Sequence, residues 1–118
     1  MALDLSAQTK PTDGRLETAH AWEISTTYEL LSLPFQRELE YVVIRGNDGA
    51  LYWGYNKTEG GAAATTDPKI PQSSDERVWT RPSVLPRASR TQPPPKVGVA
   101  GVSGTVNATV FLKWRGDF

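Results

Sequence analysis

The stretch Leu39-Glu-Tyr-Val-Val-Ile-Arg45, Gly46-Asn-Asp-Gly49, Ala50-Leu-Tyr-Trp-Gly-Tyr55 decides the fold class. Its first part is dense in β-branched and aromatic residues, which suit a pleated, half-buried surface better than a helix. Gly46 to Gly49 then supplies residues that tolerate positive φ, and a second β-rich run follows. Strand, Asn-Asp-Gly turn and strand predict a β-hairpin.

Working outward, the same period of two recurs on both sides. Before the hairpin, Trp22, Ile24, Thr26, Tyr28 and Leu30 alternate with Glu23, Ser25, Thr27 and Glu29, which predicts one half-buried strand ended by Pro34. Near the end of the chain, Val106, Ala108, Val110, Leu112 and Trp114 alternate with Thr105, Asn107, Thr109, Phe111 and Lys113. Val97-Gly-Val-Ala-Gly-Val-Ser-Gly104 leads into that strand with short apolar residues and glycines. No segment carries a 3.6-residue apolar stripe. The expected fold is all-β, a single β-sandwich or small β-barrel, with an N-terminal arm over residues 1–20 and the domain over 21–118.

Two segments stand apart from this core. Residues 1–20 hold only Leu3, Leu5 and Leu16 as strong apolars and read as an arm that needs a partner to be ordered. Residues 56–96 form a long excursion: a flexible Gly60-Gly-Ala-Ala-Ala-Thr-Thr66 run, then seven of the nine prolines between Pro68 and Pro95. Loops of this length inside a compact domain are usually functional or disordered, and the prolines favour an extended run.

At 118 residues the chain makes one domain. It has no cysteine, so thiolate nucleophiles, thiolate metal sites and disulfides are excluded. The first residues lack a basic region followed by an apolar run, and no apolar stretch is long enough to span a bilayer. The expected setting is therefore a cytosol. The formal net charge is zero but unevenly placed: residues 1–76 carry twelve acids against six bases, and residues 77–118 carry seven bases against one acid. Such a division neutralises itself within one fold or meets a complementary surface on a partner.

Catalytic signals are weak. His20 is the only histidine. Gly101-Val-Ser103-Gly104 is not a nucleophile elbow, because the Gly-x-Ser-x-Gly spacing and the strand-turn-helix context are both missing. Glu38/Glu40 and Asp75/Glu76 read as surface charge, Asn47-Asp48-Gly49 supplies too few oxygens for calcium, and Gly60-Gly61 lacks the lysine and helix of a phosphate loop. No enzyme activity, cofactor or metal is expected. Binding residues are more promising. Leu3, Leu5 and Lys10 of the arm, with Arg77, Trp79, Arg81, Arg87 and Arg90 of the excursion, are the candidate partner-binding residues. Arginine and tryptophan are enriched at protein hot spots, and the zero net charge argues against nucleic acid. An alternative is a carbohydrate-binding module with Tyr52 and Tyr41 as a solvent-facing platform.

The arm, the first strand around Trp22-Glu-Ile24, the pair Tyr41-Val-Val-Ile44 and Leu51-Tyr-Trp53, and the closing Val99-Ala-Gly-Val-Ser-Gly-Thr-Val106 together resemble the small β-proteins that decorate or cement phage capsids. Similar patterns occur in phage tail and neck proteins. The resemblance implies a non-enzymatic virion protein on the capsid surface, made in the host cytoplasm. Its implied partners are the major capsid protein and copies of itself, often as trimers. It also implies that Leu3 and Leu5 anchor the arm in a neighbour while Arg77, Arg81, Arg87 and Arg90 pair with acidic capsid groups.

Overall fold

The computed structural model describes residues 1–34, 38–81 and 94–116, and none of these is helical. Among them are nine strands: β1 Leu3–Asp4, β2 Glu17–Ile24, β3 Glu29–Ser32, β4 Leu39–Gly46, β5 Leu51–Gly54, β6 Lys69–Ile70, β7 Asp75–Thr80, β8 Val97–Gly101 and β9 Val106–Trp114. They make a five-stranded sheet in the order β1-β3-β8-β5-β6 and a four-stranded sheet in the order β2-β9-β4-β7. The two pack face to face as a sandwich and do not close into a barrel.

Each inner face comes directly from the period-two pattern. On β9, Val106, Ala108, Val110, Leu112 and Trp114 are all buried, and β4 contributes Leu39, Val42 and Ile44 opposite them. From the other sheet come Leu31, Leu51, Val97 and Val99. Burying one such side chain is worth about 1.5–3 kcal/mol, so this interior carries most of the stability. In β8 all five residues are buried. Its run of valine, alanine and glycine suits a strand covered on both faces, with no room for alternating polar residues.

The expected hairpin is not one. β4 pairs with β7 and β9, whereas β5 pairs with β6 and β8, so Gly46–Gly49 is a corner between the two sheets. Gly101–Gly104 is a second corner of the same kind, joining β8 to β9. In each the chain doubles back so tightly that only glycine fits. A Cβ on Gly46 would lie 2.1 Å from the Gly49 carbonyl oxygen, and one on Gly101 would lie 2.0 Å from that of Gly104. Because β4 pairs with β9 and β5 with β8, the two corners stack antiparallel and share their hydrogen bonds. Asn47 N–H donates to Asn107 O at 2.9 Å and Val102 N–H to Ala50 O at 3.1 Å. The Asp48 carboxylate accepts both the backbone N–H and the Nδ2 of Asn107, each at 2.9 Å. Local turn chemistry is the same for a hairpin and a corner; the wider strand pairing chose the corner.

The strand expected from Trp22 to Leu30 is likewise broken by a crossing. β2 ends at Ile24 in one sheet and β3 begins at Glu29 in the other. The crossing shifts the phase, so Thr26 is exposed while Glu29 and Leu31 point inward. Glu29 is the one buried charged side chain among the described residues. Its Oε2 accepts the Ser25 N–H at the crossing, and its Oε1 lies against the Met1 amino group.

The arm also differs from expectation. β1 adds to β3 in parallel, Leu5 N–H donates to Ser32 O at 2.9 Å, and residues 17–20 already belong to β2. Leu5 is 4 % exposed within the main core and Leu3 packs against it. These apolars fill this chain's own sandwich instead of a neighbour's, because the short β3 leaves an edge that the arm completes.

Candidate functional site

The two outer faces of the sandwich are treated differently. Over the five-stranded sheet, the first part of the expected excursion folds back as a cover. Tyr28 N–H donates to Gly61 O at 2.8 Å and Gly60 N–H to Tyr28 O at 2.7 Å, tying the glycine run to the β2–β3 crossing. Lys57 lies along a trough formed by the paired glycines Gly54 and Gly98, where a Cβ on Gly98 would come within 2.5 Å of the Lys57 Cβ. Under the cover, Tyr28, Tyr52 and Ala100 form a small second core. Asp67 fastens it: its carboxylate accepts the Tyr28 hydroxyl at 2.5 Å and the Ala64 N–H at 2.9 Å, and it pairs with Lys57 Nζ at 3.3 Å.

These contacts hold the Asp67 carboxyl below the usual carboxylate range, the Tyr28 hydrogen bond first, then the Ala64 N–H. The folded pKa is depressed, so the stabilisation is present above the unfolded value and is lost as pH falls through the folded one, below about pH 4. Asp67→Ala should therefore raise amide hydrogen exchange at residues 58–64 severalfold at neutral pH. The difference from wild type should shrink in acid. Unchanged exchange in the variant would show that the cover is held without Asp67.

The outer face of the four-stranded sheet is open among the described residues, with a depression of about 450 Å³ lying over it. The strand register sets three rows across it. In the middle row Ala19, Phe111, Val43 and Arg77 are cross-strand neighbours. One flanking row runs Glu17, Lys113, Tyr41, and the other Ala21, Thr109, Arg45, Asp75. An apolar run, Ala19, Phe111 and Val43, thus ends at Arg77 between two rows that carry ion pairs.

The charges on this face are mostly spent on each other. Arg45 holds Asp75 through two hydrogen bonds of 2.6 and 2.9 Å, which keeps the Asp75 carboxyl below its usual range and the guanidinium protonated. Lys113 pairs with Glu17. Both arginines lie over rings, Arg45 5.2 Å from the Phe111 centroid and Arg77 3.8 Å from that of Tyr41, but Arg77 has no carboxylate partner among the described residues. Stacking on a ring holds a guanidinium in place while leaving its N–H fork free.

Of the candidate partner-binding residues that are among the described ones, only Arg77 lines this depression. Leu3 and Leu5 are in or against the core, and Trp79 packs on it from β7. The Trp79 ring therefore does not share the outer face with Arg77. Lys10 is half-buried and has an interaction partner. Arg81 donates its backbone N–H to Glu40 O at 2.7 Å. Arg87 and Arg90 lie outside the described residues. The platform suggested for a carbohydrate module is not present as expected: Tyr52 is 7 % exposed and Tyr41 is covered by Arg77. The residues that reasoning from sequence passed over are Val43 and Phe111. Phe111 did leave a signal, an aromatic in phase with the polar side of β9.

Other motifs resolve into structure. Asp48 is bound to Asn107, Ser103 sits in the second corner, and Glu40 lies 3.9 Å from Arg115. Among the described residues no group of three His, Asp or Glu side chains is placed to hold a metal. The fold and site define a two-sheet β-sandwich with one self-covered face and one face left open by the described residues. Comparison with protein-family models, curated protein sequences and solved structures finds no match to this chain.

Proposed function

We propose that this chain is a non-enzymatic structural protein that works by surface docking, as a decoration protein on a phage head that bridges neighbouring capsid subunits. The contrast between the two outer faces carries the docking part of the proposal. The sandwich spends its own loop on covering one face, whereas the described residues leave the other with an apolar row between charged rows, the anatomy of a docking patch with a dry centre and a polar rim. Rigid strands hold that patch, so little order is lost on binding. The assignment to a virion is supported by the resemblance of the segment pattern over residues 21–114 to capsid decoration proteins.

The test is the composition of purified particles. The protein should be present in copies comparable to the major capsid protein, and capsids lacking it should lose resistance to heat or chelator. Its absence from particles would overturn the virion assignment. Presence at only a few copies would move it to the neck or tail.

A further inference from the structure

The open face also indicates what it docks on, an inference that rests on reading that face as the docking surface. We propose that Arg77, stacked on Tyr41 at the end of the Phe111–Val43 row, anchors one carboxylate side chain carried by an apolar segment of a protein partner. Three observations carry this. Arg45 and Lys113 are already neutralised by Asp75 and Glu17, whereas the Arg77 fork meets no carboxylate among the described residues. The ring beneath it fixes its plane, so a carboxylate can take two parallel hydrogen bonds without first ordering the side chain. Beside it, Val43 and the part of the Phe111 ring not under the Arg45 guanidinium, which lies 5.2 Å from the ring centroid, offer the apolar neighbours of that carboxylate a surface to cover.

Charge selects protein over nucleic acid as the occupant. Around the depression three cations face two acids, a net of one positive charge. That matches a single carboxylate. A phosphate backbone would bring several negative charges past Glu17 and Asp75, which would repel it, and nucleic-acid surfaces are basic over many residues.

The experiment is an amide and arginine side-chain NMR titration of the whole chain with the capped tripeptide acetyl-Val-Glu-Val-amide. Controls are acetyl-Val-Gln-Val-amide and decathymidylate. The expected result is saturable shifts centred on residues 41, 43, 77 and 111, with the Glu peptide preferred over the Gln peptide by about fivefold. Arg77→Ala should abolish the preference, and Arg77→Lys should restore only part of it, because an ammonium lacks the planar fork. Arg77 is exposed and touches the fold chiefly through the Tyr41 ring, so its replacement should shift the unfolding midpoint only slightly and leave the fold intact for the comparison. Equal binding of the two peptides, a preference that survives in Arg77→Ala, the absence of shifts from either peptide, or tighter binding of decathymidylate would each overturn the proposal. The titration is independent of particle composition, so either reading can fail while the other stands.

Discussion

Gly101→Ala should be among the most damaging single substitutions in this chain, costing upwards of about 3 kcal/mol. The added methyl would sit 2.0 Å from the Gly104 carbonyl oxygen and 3.3 Å from Val106 Cγ2. A backbone oxygen cannot swing away as a flexible side chain can. The β8–β9 corner would have to open, carrying Val106 and the register of β9 against both its neighbours with it. Gly46→Ala should behave alike, since its methyl would lie 2.1 Å from the Gly49 carbonyl oxygen. Gly116→Ala is the control: the nearest atom to its methyl is Leu16 Cδ1 at 3.7 Å, an ordinary contact, and the change should stay within about 0.5 kcal/mol. Against a total stability of about 5–15 kcal/mol, the corner variants should show a large drop in denaturant midpoint or fail to fold. Wild-type midpoints for both would mean that the corners are not as tight as the geometry requires.

Leu5→Ala should cost about 2–3 kcal/mol, within the range for emptying a buried leucine site. Leu5 is 4 % exposed among the core residues, and its backbone is tied to Ser32 beside the β1–β3 pairing. The loss should be the same at every protein concentration, because the contact is within one chain, and should lower the melting temperature by about 10–20 °C. Leu16→Ala, at a side chain 45 % exposed, should cost well under half as much. The experiment separates two uses of the N-terminal segment. If Leu5 docked in a neighbouring subunit, its truncation would leave the isolated monomer as stable as wild type and would weaken only the assembly.

The open face was partly legible in advance. Arg77 could be chosen from composition as an arginine in an acid-free segment, but the same reasoning chose Trp79, which packs on the core two residues away. The register between β4 and β7 shifts between Val42 and Val43, so that Val42 meets Trp79 and Val43 meets Arg77. A bulge of this kind changes which side chains share a face, and nothing in the local sequence marks it. Phe111 and Val43 come from strands far apart in the chain, and only the pairing of β4 with β9 makes them neighbours.

The β character of the chain follows from its sequence alone, because period-two alternation from Val106 to Trp114 and the β-rich run at Leu39–Arg45 permit no helix and bury one face each. The absence of any cysteine settles on the same evidence that no thiolate chemistry is possible. Which sheet each strand joins was decided by tertiary structure. Gly46–Gly49 can turn a hairpin or a corner at similar local cost, and the pairing of β4 with β9 and β5 with β8 made it a corner. The same long-range pairing drew Leu5 into the core, packed Leu3 against it and folded residues 56–68 over one face. The other face was left to carry Arg77.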